Sequence, residues 1–380
     1  MSAQNGTNAG REPLDTSLIR FDDLDKRLPA DAALRELMPE IARLLATDGI
    51  TELVINEAGR ALTETEKGWQ VHDMPELSFE RLEAIAVAVA TFTSQGISAN
   101  RPILSALLPD DERIQIVVPP ALPARHISFT IRKPSSSVIP LEAYRERGVF
   151  ADTIWRRPAG LDRVWNALSP VDRELVELLE SKRFVEFFVL AVQERKNVVP
   201  VGDTGSGKTT FTKSLSLHIG EMERVVTIED VRELFLNHLQ NVVHLLYSKG
   251  GQGQAKVTPA DLIACAMRMK PDRVLLAELR GAEAFDFLKL MTTGHEGSLC
   301  TYHARSPAVA LERFALMAKE HPEAQSYDDA ALKRLLTLTV DVIAHLEARP
   351  TFDGQGHQTG KTRRMTEIWF DPVKKLEAAA

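Results

Sequence analysis

Residues 202–209, with the sequence GDTGSGKT, constrain the fold of this chain more than any other segment. They fit the pattern G-x-x-x-x-G-K-[ST], in which glycines let backbone N–H groups wrap around phosphate oxygens. The apolar run at 198–201 predicts a strand before them. Residues 209–218 predict a helix that stops at Gly220, and the amino end of that helix adds positive potential. A glycine-rich turn without function is the alternative, but this setting favours a nucleoside triphosphate site.

Two side chains of this motif carry specific chemistry. Lys208 can reach the β- and γ-phosphates, and the Thr209 hydroxyl can ligate Mg²⁺. We therefore expect ATP and Mg²⁺ as ligands. The residues predicted to contact the nucleotide are Gly202, Asp203, Thr204, Gly205, Ser206, Gly207, Lys208, Thr209 and Thr210.

Composition limits the class of protein. The 380 residues suffice for two domains, and the chain is 44% hydrophobic and 26% charged, as in soluble globular proteins. A formal net charge of -7 argues against nucleic acid as the main partner. The two cysteines fit a reducing compartment, and neither a signal peptide nor a membrane span is predicted. These features indicate a cytoplasmic protein that is at most peripheral to a membrane.

The pattern along the chain divides it into four parts. Residues 1–20 are polar and predict a disordered tail. Residues 21–138 mix helices and strands, with strands at 50–56, 68–72, 114–118 and 127–132 and a long helix after the N-cap Ser78. Residues 139–168 follow the Pro- and Ser-rich stretch 134–140 and predict a linker with some helix. Residues 169–374 form the second predicted domain.

In this second domain helical segments alternate with short apolar runs at 198–201, 225–228, 242–246, 274–277, 298–301 and 340–346. The alternation predicts a largely parallel, helix-covered sheet with ligands at the carboxyl ends of its strands. Pro200 lies inside the strand before the phosphate loop. Because proline lacks an N–H group, we expect a local irregularity there without loss of the strand.

Acidic residues follow two of these strands, in the segments TIEDVREL (227–234) and MKPDRVLLAELR (269–280). Phosphoryl transfer needs one carboxylate for the water shell of the metal and another to orient or deprotonate the attacking water. We assign Glu278 to the metal and Glu229 to the base. Solvated strand ends are the alternative, which an intact phosphate loop nearby makes weaker.

The segment TGHEGSLCTYHA (293–304) places His295 and His303 on either side of a short strand. The pair could bind a metal, contact the γ-phosphate or be structural. Zinc is disfavoured because the spacing matches no usual ligand set. A protease pair of Cys300 and His303 is also disfavoured, since nothing else in the chain supports acyl transfer.

The order of phosphate loop, TIEDVREL, MKPDRVLLAELRG and TGHEGSLCTYHA resembles the Walker A, Asp, Walker B and His boxes of the type II/IV secretion ATPase superfamily. The stretch RPILSALLP (101–109), with ERIQI (112–116) and TIRKPS (130–135), resembles the VirB-eleven-type traffic ATPases of type IV secretion and conjugation systems. Two departures from the family pattern are small: Asp203 stands where glutamate is common, and Ala282 where glycine is frequent. Neither removes a catalytic group.

The resemblance implies hexameric rings at the cytoplasmic side of the inner membrane, with nucleotide bound between two domains. It makes Lys208 and Thr209 the phosphate and Mg²⁺ residues, and Glu229 and Glu278 the paired carboxylates. His295 and His303 match the His box. Arg113 and Arg132 match residues that reach the nucleotide, although each could also be a surface arginine on a strand.

We therefore predict an α/β protein in which a smaller α+β N-terminal domain precedes a C-terminal RecA-like P-loop ATPase domain. Its predicted function is that of an ATP-hydrolysing motor subunit of a type IV secretion or conjugative transfer apparatus. Its partners would be copies of itself and other components of that apparatus, with nucleic acid contact indirect or absent. A DNA-translocating motor on a similar core and a nucleotide-gated scaffold with negligible turnover are the alternatives.

Overall fold

The structure is a computed structural model that describes residues 29–65, 67–133, 138–247, 257–356 and 358–380. The tail predicted at 1–20 and most of the Pro- and Ser-rich stretch lie outside these residues. The described residues form two β-sheets, each with its own helices. None of the helices in this part of the chain is long and apolar enough to cross a lipid bilayer.

The amino-terminal sheet has six strands in the order β3-β2-β1-β6-β5-β4, each antiparallel to its neighbours. Its side chains alternate: in β5, Ile114 and Ile116 are buried, while Arg113 belongs to the opposite face. Three helices cover the buried face, and the Ser78 side chain caps the third of them. The elements are α1 (Ala32–Leu37), α2 (Pro39–Leu45), β1 (Glu52–Glu57), β2 (Arg60–Thr65), β3 (Gly68–Asp73), α3 (Phe79–Phe92), β4 (Ile103–Leu107), β5 (Arg113–Val117) and β6 (Ser128–Arg132).

The larger sheet has eight strands in the order β10-β9-β11-β12-β8-β13-β14-β7. The strands from β10 to β13 are parallel to their neighbours, and β14 returns antiparallel to β13. Helices pack over two hydrophobic clusters, which confirms the largely parallel, helix-covered sheet. The elements are α4 (Leu141–Glu146), β7 (Ile154–Trp155), α5 (Leu161–Val164), α6 (Pro170–Glu180), α7 (Phe184–Gln193), β8 (Val198–Gly202), α8 (Lys208–Ser216), β9 (Val225–Glu229), β10 (Val242–Leu246), α9 (Pro259–Arg268), β11 (Arg273–Leu276), α10 (Glu283–Thr292), β12 (Leu299–Cys300), α11 (Pro307–Lys319), α12 (Asp329–Thr339), β13 (Val342–Phe352), β14 (Gln358–Trp369) and α13 (Pro372–Ala379).

The segment 139–168, predicted as a linker, packs onto the larger sheet. Its strand β7 pairs with β14, and Leu141, Phe150 and Leu161 share a hydrophobic cluster with β8. The elements of this segment are only two to six residues long. Such short elements leave no periodic pattern, which is why the sequence indicated only a linker. The bounds of the two domains stay a prediction.

The strand β8 is buried along its whole length and leads into the phosphate loop. It pairs with β13 throughout, with Pro200 opposite Ala344. Toward β12 it pairs at Val198 and then only through an isolated bridge between Val201 and Tyr302. The ladder is thus interrupted across Pro200 while the strand persists, as predicted.

Candidate active site

The phosphate-loop motif makes a tight turn between β8 and α8. Gly202 has a φ of +152°, and a Cβ on this residue would lie 2.0 Å from the Leu346 carbonyl oxygen, so a side chain does not fit. Gly207 has a φ of +95° and is the N-cap of α8. The first N–H groups of a helix have no partner within it, and this turn therefore provides an anion-binding geometry at the carboxyl end of β8.

Lys208 is buried, and its ammonium group lies against the loop. Its Nζ donates hydrogen bonds to the carbonyl oxygens of Gly202 at 2.9 Å and Asp203 at 3.0 Å. Burial lowers the pKa of Lys208, while the carboxylates of Glu278 and Asp203 oppose that shift. The cation is therefore held at the loop by backbone oxygens and by nearby negative charge.

A chain of three side chains, from the ends of β12 and β11, begins at Lys208. His303 Nδ1 lies 3.4 Å from Lys208 Nζ, and His303 Nε2 lies 2.9 Å from Glu278 Oε1. Arg280 Nε donates to Glu278 Oε2 at 2.8 Å. Burial opposes ionisation of Glu278, but the hydrogen bond and the charge of Arg280 hold its pKa below the ordinary value. Polar contacts thus run without a break from the phosphate loop to the end of β11.

Glu229, the predicted base, is fully buried at the end of β9. Its Oε1 accepts hydrogen bonds from the backbone N–H groups of Glu233 and Leu234, both at 3.0 Å, and its Oε2 accepts one from Thr227 Oγ1 at 3.3 Å. Burial raises the pKa of Glu229 to about 7, although these hydrogen bonds oppose the shift. The carboxyl group therefore holds the loop after β9 in place, and it can exchange a proton near neutral pH.

The two predicted histidines lie at opposite ends of β12. His303 follows the strand and joins the phosphate-loop cluster, whereas His295 precedes the strand and lies at the amino ends of the parallel strands. The carbonyl oxygen of His295 accepts a hydrogen bond from Ser298 Oγ at 2.8 Å. Both ring nitrogens of His295 are buried and have no hydrogen-bond partner among the residues that the structure describes. The structure therefore brings His303, and not His295, to the phosphate loop.

Arg113 crosses from the open face of the amino-terminal sheet to the loop after β9. Its Nη2 contacts Asp230 Oδ1 at 2.5 Å, and its Nη1 contacts Glu233 Oε1 at 2.8 Å. Asp230 also lies 3.4 Å from Arg280 Nη1, and Arg280 in turn contacts Glu278. The amino-terminal sheet is thereby connected to the phosphate-loop cluster through charged groups alone.

Arg132 is the cross-strand neighbour of Arg113 in the adjacent strand β6. Burial is the main cause of the lowered pKa of Lys208, and the positive charge of Arg132 adds to it. Arg132 therefore lies within electrostatic range of the phosphate loop of the same chain. Both predicted arginines thus face the larger sheet from the amino-terminal one.

The metal site predicted at Thr209 and Glu278 has the donor types that Mg²⁺ prefers. Thr209 is the second residue of α8, next to Lys208, and the lowered pKa of Glu278 favours its carboxylate form. Within the described ranges there is no cluster of three or more His, Cys, Asp or Glu side chains arranged to hold a metal ion. Mg²⁺ in phosphate-loop sites takes most of its ligands from phosphates and water, so one hydroxyl and one carboxylate fit such an ion.

Sequence reasoning missed three charged residues of this site. Asp230 directly follows Glu229, and Arg280 lies two positions after Glu278, so this proximity in sequence was an available signal. Arg363 gave no such signal. It comes from β14, and its Nε lies 3.3 Å from the Gly205 carbonyl oxygen of the phosphate loop.

Known proteins match this chain over most of its length. A family model described as type II/IV secretion system protein matches residues 175–355. The type IV secretion system protein VirB11 of Brucella suis biovar 1 is 41% identical over 328 residues, which cover 86% of this chain and 87% of that protein. The type IV secretion system protein PtlH of Bordetella pertussis is 39% identical over 347 residues, covering 91% of this chain and 96% of that protein.

Solved structures give the same result. The crystal structure of the VirB11 ATPase from the Brucella suis type IV secretion system, in complex with sulphate, is 39% identical and superposes with a TM-score of 0.50. The match covers 92% of this chain and 100% of the VirB11 chain. The pilus retraction motor PilT with bound ADP shares the fold at 15% identity, with a TM-score of 0.57. This match covers 90% of this chain and 85% of the PilT chain. The comparisons confirm the predicted fold class, the family resemblance and the ATP-hydrolysing activity. The chain belongs to the VirB11 family of type IV secretion ATPases.

Proposed function

We propose that this ATPase is a hexameric motor subunit that energises a bacterial type IV secretion or conjugative transfer apparatus. The observation that carries the proposal is the unbroken line of contacts from Lys208 through His303 to Glu278. It joins the phosphate loop, across β12, to a carboxylate at the end of β11. Such a line can bind a triphosphate, compensate its charge and respond to its γ-phosphate.

In this proposal Lys208 provides the main positive charge for the β- and γ-phosphates. Its Nζ would exchange the carbonyl oxygens of Gly202 and Asp203 for phosphate oxygens. His303 would contact the γ-phosphate side of the site, because it already touches both Lys208 and Glu278. His295 would support the fold from the other end of β12.

Mg²⁺, when bound, would supply positive charge that neutralises the negative charge developing on the phosphates. Thr209 would hold it through the hydroxyl group, and Glu278 would hold its water shell. The low pKa of Glu278 suits this role, since the group stays ionised at neutral pH.

We propose that Glu229 accepts the proton of the attacking water after the loop that follows β9 rearranges. Its raised pKa matches a base that works near neutral pH. Both of its oxygens accept hydrogen bonds in the present geometry, from the backbone of Glu233 and Leu234 and from Thr227. A movement of this loop is therefore required before Glu229 can act directly.

Arg113 is well placed to control that loop. It now pairs with Asp230 and Glu233, both of which belong to the loop. We propose that a bound γ-phosphate competes for Arg113 and Arg132, as for an arginine finger, and that this exchange moves the amino-terminal sheet against the larger one. Two domains, meeting near residue 138, would then open and close around each turnover.

Six such subunits joined head-to-tail would form a ring of roughly 250 kDa, from chains of 42.2 kDa. The ring would bind other components of the apparatus at the cytoplasmic face of the inner membrane. A steady-state phosphate-release assay with and without single-stranded DNA tests the proposal: we expect turnover that DNA does not stimulate. Strong stimulation by DNA would favour a DNA-translocating motor, and negligible turnover a scaffold.

The ring is tested by light scattering with Mg²⁺ and an ATP analogue, and by mixing wild type with Lys208→Ala subunits. Because a ring couples neighbouring sites, we expect activity to fall more steeply than in proportion to the inactive fraction. Arg113→Ala should reduce hydrolysis far more than ATP binding. A monomeric mass together with a linear loss of activity would contradict the proposed hexamer.

A further inference from the structure

We propose that Arg363 is a nucleotide-binding residue that contacts the α- and β-phosphates from the same subunit. This inference rests on the proposed nucleotide site and adds to it a cation from the hairpin of β13 and β14. The residue lies 155 positions beyond Lys208 in the chain, in a strand outside the four family boxes. The fold alone brings it to the phosphate loop.

Arg363 lies close to two glycines of the loop. Its Nε lies 3.3 Å from the Gly205 carbonyl oxygen. Its Cδ would lie 3.3 Å from a Cβ built on Gly207, the residue that caps α8. The side chain thus crosses the loop at the start of the helix, where the N–H groups that bind phosphates are exposed.

The guanidinium group retains most of its hydrogen-bonding capacity. It carries five N–H donors, of which one is directed to Gly205. Across the part of the chain that the structure describes, its two terminal nitrogens have no hydrogen-bond or ion-pair partner. An arginine whose planar donors remain available beside a phosphate loop is suited to bidentate contact with phosphate oxygens.

The neighbouring basic residues of β14 show that this arrangement is particular to Arg363. Lys361 pairs with Glu64 of the amino-terminal sheet at 2.9 Å, and Arg364 pairs with Asp152. Each of these two cations is compensated by a carboxylate. Arg363 instead donates to a carbonyl oxygen of the phosphate loop, and no carboxylate among the described residues pairs with it, so its charge is available to a ligand.

The ligand chemistry follows from where the contact lies. In the proposed site, the loop around Gly205 and Gly207 would wrap the phosphates that ADP and ATP share, whereas the paired Glu278 and His303 would lie on the side of the γ-phosphate. A contact made equally to ADP and ATP adds uniform binding and does not change the chemical step. Arg363 therefore differs in role from Arg113 and Arg132, which we expect to act on hydrolysis.

The test compares Arg363→Gln with the matched control Arg364→Gln, the adjacent exposed arginine that pairs with a carboxylate. Titration calorimetry with Mg²⁺-ADP should show about tenfold weaker binding in Arg363→Gln, the usual effect of losing a charged hydrogen bond. The KM for ATP should rise by a similar factor while kcat stays within twofold of wild type. Arg364→Gln should match wild type, and Arg363→Lys should recover part of the affinity.

Three results would overturn the inference: unchanged ADP affinity in Arg363→Gln, an equal loss in Arg364→Gln, or a fall in kcat without a change in KM. A nucleotide-free melting curve equal to that of wild type shows that Arg363→Gln is folded. Lys208→Ala separates this inference from the proposed site. Hydrolysis within tenfold of wild type in Lys208→Ala would refute the site itself. If Lys208→Ala loses most of its hydrolysis while Arg363→Gln binds ADP as wild type does, only the role of Arg363 is refuted.

Discussion

Polar side chains are concentrated at both ends of the strands of the larger sheet, but the two groups are built differently. At the amino ends, Arg273 is 1% exposed and donates to Glu223 and to the Val192 carbonyl oxygen. Asn197 donates to the Thr339 carbonyl oxygen and accepts from the Ser298 N–H. These groups bind each other, and the resulting network fixes the fold.

At the carboxyl ends, the buried groups Lys208 and Glu229 lie beside partly exposed ones, and together they join elements from both sheets. Lys208 is held by backbone oxygens that a phosphate can replace, and Arg113 by carboxylates of the loop after β9. The same residue types therefore serve two purposes. A network whose members hydrogen-bond to each other stabilises the fold. A network whose members can exchange their hydrogen-bond partners for a phosphate is available to a ligand.

The strongest test of this difference is Lys208→Ala. We expect ATP hydrolysis to fall at least about a hundredfold, because the variant loses the charge that stabilises the transferring phosphoryl group. The nucleotide-free melting curve should not change, since the amine contacts loop carbonyl oxygens and His303, which belong to the site rather than to the hydrophobic core. Phosphate release and differential scanning calorimetry measure the two effects. Activity within tenfold of wild type would contradict the catalytic role.

Arg273→Met should show the opposite behaviour. Removing the guanidinium takes one donor from Glu223 and one from each of two buried carbonyl oxygens, and we expect a loss of about 3 kcal/mol in the free energy of unfolding. Hydrolysis per folded molecule should stay within a few fold of wild type. Urea unfolding and active-site titration check this pair of expectations. A normal stability would show that the amino-end network does not fix the fold.

His295 and His303, at the two ends of β12, test the difference between the amino and carboxyl ends of the sheet with a single residue type. His303→Ala should reduce hydrolysis about tenfold or more, because the contact between Lys208 and Glu278 is lost. His295→Ala should leave hydrolysis within twofold and change mainly the melting temperature, since its ring is buried at the other end of β12. Equal losses of activity would mean that His295 reaches a nucleotide in another arrangement.

The smallest expected effect concerns the pH dependence that Glu229 confers. Its folded-state pKa is raised to about 7, so the protein should lose stability as pH rises from the ordinary carboxyl range through about 7. A base must be deprotonated, so activity should rise over the same range. Glu229→Gln should remove both trends. Melting temperatures and rates between pH 5 and 8 measure them.

Glu278→Gln is the matched control for this experiment. The pKa of Glu278 is lowered, so its replacement should leave the rise in activity near pH 7 in place. It should instead increase the Mg²⁺ concentration needed for half-maximal rate. If Glu278→Gln instead removed the rise in activity and Glu229→Gln raised the Mg²⁺ requirement, Glu278 would be the base and Glu229 the metal residue.

Local patterns were sufficient to predict much of this protein. The phosphate loop is a contiguous motif whose backbone geometry depends on its own glycines, and Gly202 and Gly207 adopt the positive φ values that it requires. The parallel strands were predicted because buried strands read as continuous apolar runs. The interruption at Pro200 followed from the chemistry of one residue.

The hairpin of β13 and β14 was predicted only in part. The apolar run at 340–346 marks its buried start, whereas most of β14 is partly or fully exposed and carries charged residues on both faces. Such a strand is stabilised by pairing with its neighbour, and this leaves little hydrophobic signal. The basic residues of β14 therefore gave no indication that one of them lies at the phosphate loop.

The sequence by itself determined the phosphate loop, the parallel sheet and the order of the carboxylates, because each depends on residues close together in the chain. The tertiary structure decided which side chains meet. It placed His303 at the loop and His295 at the opposite end of β12, closed Arg113 onto Asp230 and brought Arg363 to Gly205. These contacts depend on strand order and on how two sheets face each other, and residue spacing encodes neither of them.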